Sequence, residues 1–193
     1  MKSKIIIFSL FLIVAVAQLF VPFKMISNQE DVLKTGVAFK FKTEPLDPSD
    51  PFRGKYIRLN FEEDKFSIQN KDNWTRNEEV YVVVKNDENG FASIKNIVKE
   101  KPLNTTNFIT AKVKYIHSYK ENKNITIEYP FERFYMDEFK AKPAEDAHQE
   151  SFKKENNTTY ALVYLKNGES VLSDVLINNE SIKDIVSKRK MTK

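Results

Sequence analysis

Hydrophobic and polar positions change rhythm once along this chain, and the change divides it in two. From Ile5 to Phe23 nearly every position is apolar, with Lys2 and Lys4 before the run and Lys24 after it. Roughly 19 residues at 1.5 Å each predict a helix of about 28 Å, close to the hydrocarbon thickness of a bilayer. No later stretch approaches it in hydrophobicity, and beyond about Asn28 the pattern breaks into short segments.

Those segments read as strands. Val37 to Lys42 alternates apolar and basic residues, and Val80 to Val84 is a continuous β-branched and aromatic run. Ile57, Leu59 and Phe61 share one parity, so two-residue periodicity sets them on one face and Tyr56, Arg58 and Asn60 on the other. Phe91 to Val98, Ile109 to Ile116 and Ile125 to Tyr129 continue the series. Tyr160 to Leu165 and Val171 to Ile177 read as a hairpin turning at Asn167-Gly168. One helix is expected from about Ala144 to Lys154, with Pro143 in its first turn, and a short one at Ile182 to Lys188. The fold class predicted is mainly β within α+β: a transmembrane helix over residues 1–27, then a sheet or barrel-like body over 28–193 that admits two sub-lobes. Pro45, Pro48 and Pro51 bar a central strand between Glu44 and Gly54, and a second break falls at Lys101 to Asn107.

The apolar run has two readings, both of which carry the body across a membrane. Ala15-Val16-Ala17 forms a small-residue site of the kind a signal peptidase cuts, with Gln18 the first mature residue. Against cleavage, Leu19, Phe20, Val21, Phe23, Met25 and Ile26 would then start the mature chain, and the run exceeds the usual signal core of about 7 to 15 residues. An uncleaved anchor fits better. Lys2 and Lys4 precede the span and Glu30 and Asp31 follow it, which favours a cytoplasmic N-terminus and a body in a bacterial periplasm or on the cell surface. The chain has no cysteine, which removes disulfides and thiol chemistry.

Charge excludes one partner class. The net charge is +4 with a pI near 9.0, but the basic residues are dispersed, and the dense group Lys188, Arg189, Lys190 and Lys193 reads as a solvated tail. Nucleic-acid binding needs a basic stripe interleaved with aromatics, which is not seen, and weak attraction to anionic lipid is the better minority reading.

The stretch Asp47-Pro48-Ser49-Asp50-Pro51-Phe52-Arg53-Gly54-Lys55-Tyr56-Ile57-Arg58-Leu59-Asn60-Phe61 resembles the signature of the GDYXXLXY family of membrane-anchored bacterial proteins. Gly54, Tyr56, Leu59 and Phe61 fit the pattern; Lys55 stands where it has an acid and Phe61 where it has a final tyrosine. Tyr129 to Glu138 is similar to the family's second block, and Tyr160 to Ile182 to its closing hairpin. The charge reversal at Lys55 removes any role for that acid as metal ligand or general acid and argues that the shared part of the motif is architectural. The resemblance implies location and architecture in a bacterial inner membrane and carries no established activity.

The candidate site comes from the two matching blocks. Arg53, Gly54, Tyr56 and Arg58 from the first, with Glu132, Arg133, Tyr135 and Glu138 from the second, would line one polar-aromatic surface that receives a partner. The plainer reading is a strand with one amphipathic aromatic. Other chemistry fares less well. Ser49 with Lys55 is the nearest pair to a serine–lysine dyad, but the two read as an exposed turn and a strand start, where the lysine would not be desolvated. His117 and His148 lack metal-ligand spacing, and the acids Asp137, Glu138, Glu145 and Asp146 near His148 read as a solvated helix face. Glu62 and Glu63 are an acid pair of the kind chance supplies. Trp74, in a polar loop, reads as a lid over the core edge, with a sugar platform or partner hot spot as alternatives. The sequons at Asn73, Asn104, Asn124 and Asn157 imply glycans only in a eukaryotic host.

No catalytic residue, metal ligand or cofactor is assigned. The expected function is an anchored accessory or interaction protein without catalysis of its own, held by residues 5–23 and placed beside a multi-pass membrane protein. The alternative is a module binding a small envelope component such as a peptide, glycan or lipid headgroup, in a pocket lined by Tyr56, Arg58 and Tyr135.

Overall fold

The computed structural model describes residues 2–45, 56–68, 73–119, 122–154 and 156–191. Arg53 and Gly54 of the candidate site, the Ser49 and Lys55 pair, and Pro48 and Pro51 lie outside the described residues.

A single helix, α1 (Lys2–Thr35), carries the apolar run. Its large side chains are exposed on every side, with Leu19, Phe20 and Phe23 at 71, 61 and 70%. A helix apolar all round requires an apolar surround. This one is long and apolar enough to cross a membrane, a property an N-terminal signal sequence shares. Its last turn belongs to the body: Val32 is buried, and Lys166 bonds both Asp31 and Thr35.

The body is mainly β. One five-stranded antiparallel sheet has the order β12 (Glu180–Ser181), β11 (Glu169–Ile177), β10 (Thr159–Lys166), β1 (Val37–Glu44), β3 (Asn60–Phe61). A second has the order β4 (Lys65–Ile68), β8 (Asn122–Glu128), β7 (Phe108–Tyr119), β5 (Glu79–Asn86), β6 (Ala92–Val98). A two-stranded ladder pairs β2 (Tyr56–Arg58) with β9 (Arg133–Tyr135). The sheets are joined where the β10–β11 turn meets β7, by an Ile109–Gly168 bridge and a Thr110 N–H donated to the Gly168 carbonyl at 3.0 Å. The enclosure is barrel-like, and its interior is one hydrophobic core.

Alternation sets the core. Phe39 and Phe41 of β1, Val80, Val82 and Val84 of β5, and Val163 and Leu165 of β10 all point inward. Ile57, Leu59 and Phe61 are buried at 1, 1 and 4%, as their shared parity predicts. Their strand changes partner midway: Tyr56 to Arg58 pairs with β9, the Leu59 N–H continues to the Glu132 carbonyl at 2.8 Å, and Asn60 and Phe61 pair with β1. Phe61 enters an aromatic cluster with Phe41, Tyr129 and Phe131, ring centroids 5.1 to 5.9 Å apart. Such ring pairs add to the stabilisation of area burial alone. The hairpin turn falls at Asn167-Gly168, whose φ values of 53° and 95° suit Asn and Gly.

The first body helix corrects the sequence reading. α2 (Glu138–Ser151) begins six residues before Ala144 and holds Pro143 in its interior. Asp137 supplies the reason, because its carboxylate accepts the Phe139 N–H at 2.9 Å and caps the new start. A proline in the second turn forfeits one helix hydrogen bond, which the cap and the buried Ala141, Ala144 and Ala147 outweigh. α3 (Ile182–Met191) packs beside it. Trp74 is buried at 8%, with the Lys99 ammonium 5.0 Å from its ring centre, so it closes the core edge rather than projecting from it.

Candidate interaction site

Two segments far apart in sequence meet on the β2–β9 ladder. Antiparallel pairing sets Tyr56 opposite Tyr135, Ile57 opposite Phe134 and Arg58 opposite Arg133. Alternation buries Ile57 and Phe134 and turns the other two pairs outward. The Tyr56 and Tyr135 rings lie 5.4 Å apart, tilted by 56°. The Arg133 guanidinium sits 5.1 Å from the centre of the Tyr56 ring, a cation–π distance. Beside it Glu132 faces two arginines, with Arg58 Nη2 at 3.4 Å and Arg133 Nε at 3.9 Å. The Tyr135 phenol foremost, then Tyr56 and Glu132, hold the Arg133 guanidinium above its usual pKa, so it is a permanent cation. Tyr135 remains 63% exposed.

Five of the eight candidate residues therefore form one cluster: Tyr56, Arg58, Glu132, Arg133 and Tyr135. Glu138 is exposed in the first turn of α2, where an acid favours the helix N-terminus, and no contact among the described residues ties it to the cluster. The next residue, Phe139, is 82% exposed.

A cleft of about 670 Å³ opens beside the cluster. Glu132, Arg133 and Tyr135 form one wall, and Glu79 of β5, Lys112 of β7 and Glu128 of β8 form another. These last three occupy one cross-strand row, since Glu79 pairs with Lys112 and Lys112 with Glu128. Sequence reading missed them because only strand register reveals the row. Tyr56 and Arg58 stand outside this lining, so the predicted pocket is shared only at Tyr135.

The other polar cluster is sealed. His148 is 1% exposed, and its Nε2 lies 3.2 Å from Thr43 Oγ1, which donates to the Thr159 carbonyl. Ser151 Oγ bonds Thr159 Oγ1 at 2.7 Å and donates to the His148 carbonyl at 2.6 Å. Burial pushes the His148 pKa down to about 4, so the ring is neutral. With the hydroxyl committed to the Thr159 carbonyl, the imidazole donates to Thr43, and the arrangement ties α2 to β1 and β10. His117, by contrast, is exposed beside Tyr115.

The profile of the GDYXXLXY protein family matches residues 18–175. This chain belongs to the GDYXXLXY family. Neither the curated proteins nor the solved structures give a match. The GDYXXLXY match takes in the second half of α1, the motif strand, the β9 block and the closing hairpin as far as Val175. Within it, the inward half of the motif builds the core and the outward half builds the Tyr56–Arg133 cluster. Phe61, where the GDYXXLXY pattern has tyrosine, fills an aromatic cluster in which Tyr129 supplies the hydroxyl, donated to the Glu63 carbonyl.

Proposed function

We propose that this protein is a single-pass membrane protein whose body acts as an accessory subunit for a multi-pass membrane partner. Residues 5–23 cross a bacterial inner membrane, the N-terminus is cytoplasmic and the body stands on the outer side. Cleavage after Ala17 would leave Leu19 to Ile26 exposed to water, which supports retention of the helix. The contact surface is the Tyr56, Arg133 and Tyr135 cluster. One observation carries the reading: an exposed arginine–tyrosine stack on a ladder held rigid by buried Ile57 and Phe134. Aromatic residues and arginine dominate the anchors of protein interfaces. In detergent-solubilised native membranes the wild-type chain should recover a partner identified by mass spectrometry. Tyr56→Ala with Arg133→Ala should lose it while the body stays folded; unchanged recovery would refute the surface.

The neighbouring cleft favours a second reading, a site for a small envelope ligand such as a peptide, glycan or lipid headgroup. Its size suits such a group, and its walls alternate acid and base. Lys112→Ala separates the two, abolishing ligand-induced thermal stabilisation under this reading and sparing partner recovery under the first.

A further inference from the structure

The last turn of α1 is fastened to the body. Val32 is buried, Lys166 clasps Asp31 and Thr35, and Gly36 has no room for a side chain, because a Cβ would sit 2.5 Å from the Val32 carbonyl oxygen and 2.9 Å from that of Leu165. The span ends at Phe23, and eight residues of helix to Asp31 rise about 12 Å, a little more than one headgroup layer of about 5 to 8 Å. The β10–β11 turn beside Lys166 is therefore the part of the body nearest a bilayer that holds α1.

A second segment is fastened to that turn. The Asn167 N–H donates to the Thr106 carbonyl at 3.1 Å, Phe108 packs under Gly168, and the Val84 N–H holds the Asn107 carbonyl at 3.0 Å. From this fixed end the loop runs back to Leu103, 95% exposed and the most exposed large apolar side chain among the described residues. Three residues reach about 11 Å at most, so Leu103 stays near the turn. A single exposed leucine is ordinary on a protein surface. This one lies beside the exit of a membrane-length helix, two residues from the exposed Lys101.

We propose that the Lys101 to Asn107 loop is a second membrane contact, with Leu103 inserted at the headgroup–acyl boundary and Lys101 at the level of anionic phosphates. An apolar side chain gains by leaving water there, and a lysine close to an anionic surface adds to the attraction. Helix and loop together fix how the body faces the bilayer, and so where the Tyr56–Arg133 surface is presented. This inference rests on α1 spanning the membrane.

Because the chain lacks cysteine, single-site labelling separates the two ideas. Leu103→Cys, Val14→Cys within α1, and Asn156→Cys are each coupled to a polarity-sensitive fluorophore in the full chain. Asn156 is exposed beyond the far end of β10, an eight-residue strand of about 26 Å. The proteins are reconstituted in vesicles of phosphatidylethanolamine and phosphatidylglycerol, with and without lipids brominated near the headgroup. The expected result is bromine quenching at Leu103 several-fold above that at Asn156, with blue-shifted emission at Val14. Quenching at Leu103 no greater than at Asn156, with Val14 still blue-shifted, would overturn the loop contact and leave the span standing. Blue-shifted emission at Leu103 without bromine quenching would mean that protein covers the loop, and would also overturn it. A water-exposed Val14 would overturn both.

Discussion

Two polar clusters in this body use similar numbers of side chains to opposite ends. Around His148 the groups are buried, neutral and closed on one another, whereas on the β2–β9 ladder they are charged, aromatic and open to solvent beside a cleft. A buried polar group without its hydrogen bond is costly, so an interior cluster must be self-satisfying and gains nothing from a partner. An exposed ion pair contributes little to folding, which leaves residues on the rim available for recognition. The difference assigns stability to one cluster and leaves the other for the contact we propose.

The largest expected effect comes from charging the sealed cluster. The folded-state pKa of His148, about 4, lies below its ordinary 6.5, so the neutral ring stabilises the fold above pH 6.5. That contribution is lost as pH falls through this window, up to about 3 kcal/mol at roughly 1.4 kcal/mol per unit. Urea melts between pH 7 and 4.5 should show the slope, and His148→Gln, which keeps a donor for Thr43 but cannot titrate here, should flatten it. Glu78, whose pKa Lys99 and Thr75 hold below 4.5, weakens the fold only at lower pH. Next in size is Ser151→Ala, which removes the partner of the buried Thr159 hydroxyl and should cost about 2 kcal/mol in the same melts.

The two clusters were not equally legible. The open one was readable because its residues sit in two short blocks whose alternation fixes which side chains face out, and the resemblance paired the blocks. The inward trio Ile57, Leu59 and Phe61 and the Asn167-Gly168 turn were readable for the same local reasons. The sealed cluster was not, since His148 finds Thr43 105 residues away through the packing of a helix on a sheet. The start of α2 was misplaced because Pro143 is a stronger written signal than the Asp137 cap that overrides it. The cleft row of Glu79, Lys112 and Glu128 depends on two strand registers among three strands, neither written in its own segment.

At the small end, Arg58→Ala should change stability by less than about 1 kcal/mol, because its bond to Glu132 is long and partly solvated and Arg133 remains beside the carboxylate. A loss as large as that of Ser151→Ala would erase the contrast between the clusters.

The most direct measurement pairs stability with recognition in one variant. Arg133→Ala with Tyr135→Ala should melt within about 4 °C of the wild type and lose the partner recovered from native membranes. A variant that keeps its partner, or that unfolds well below the wild type, would contradict the assignment of the β2–β9 surface to contact.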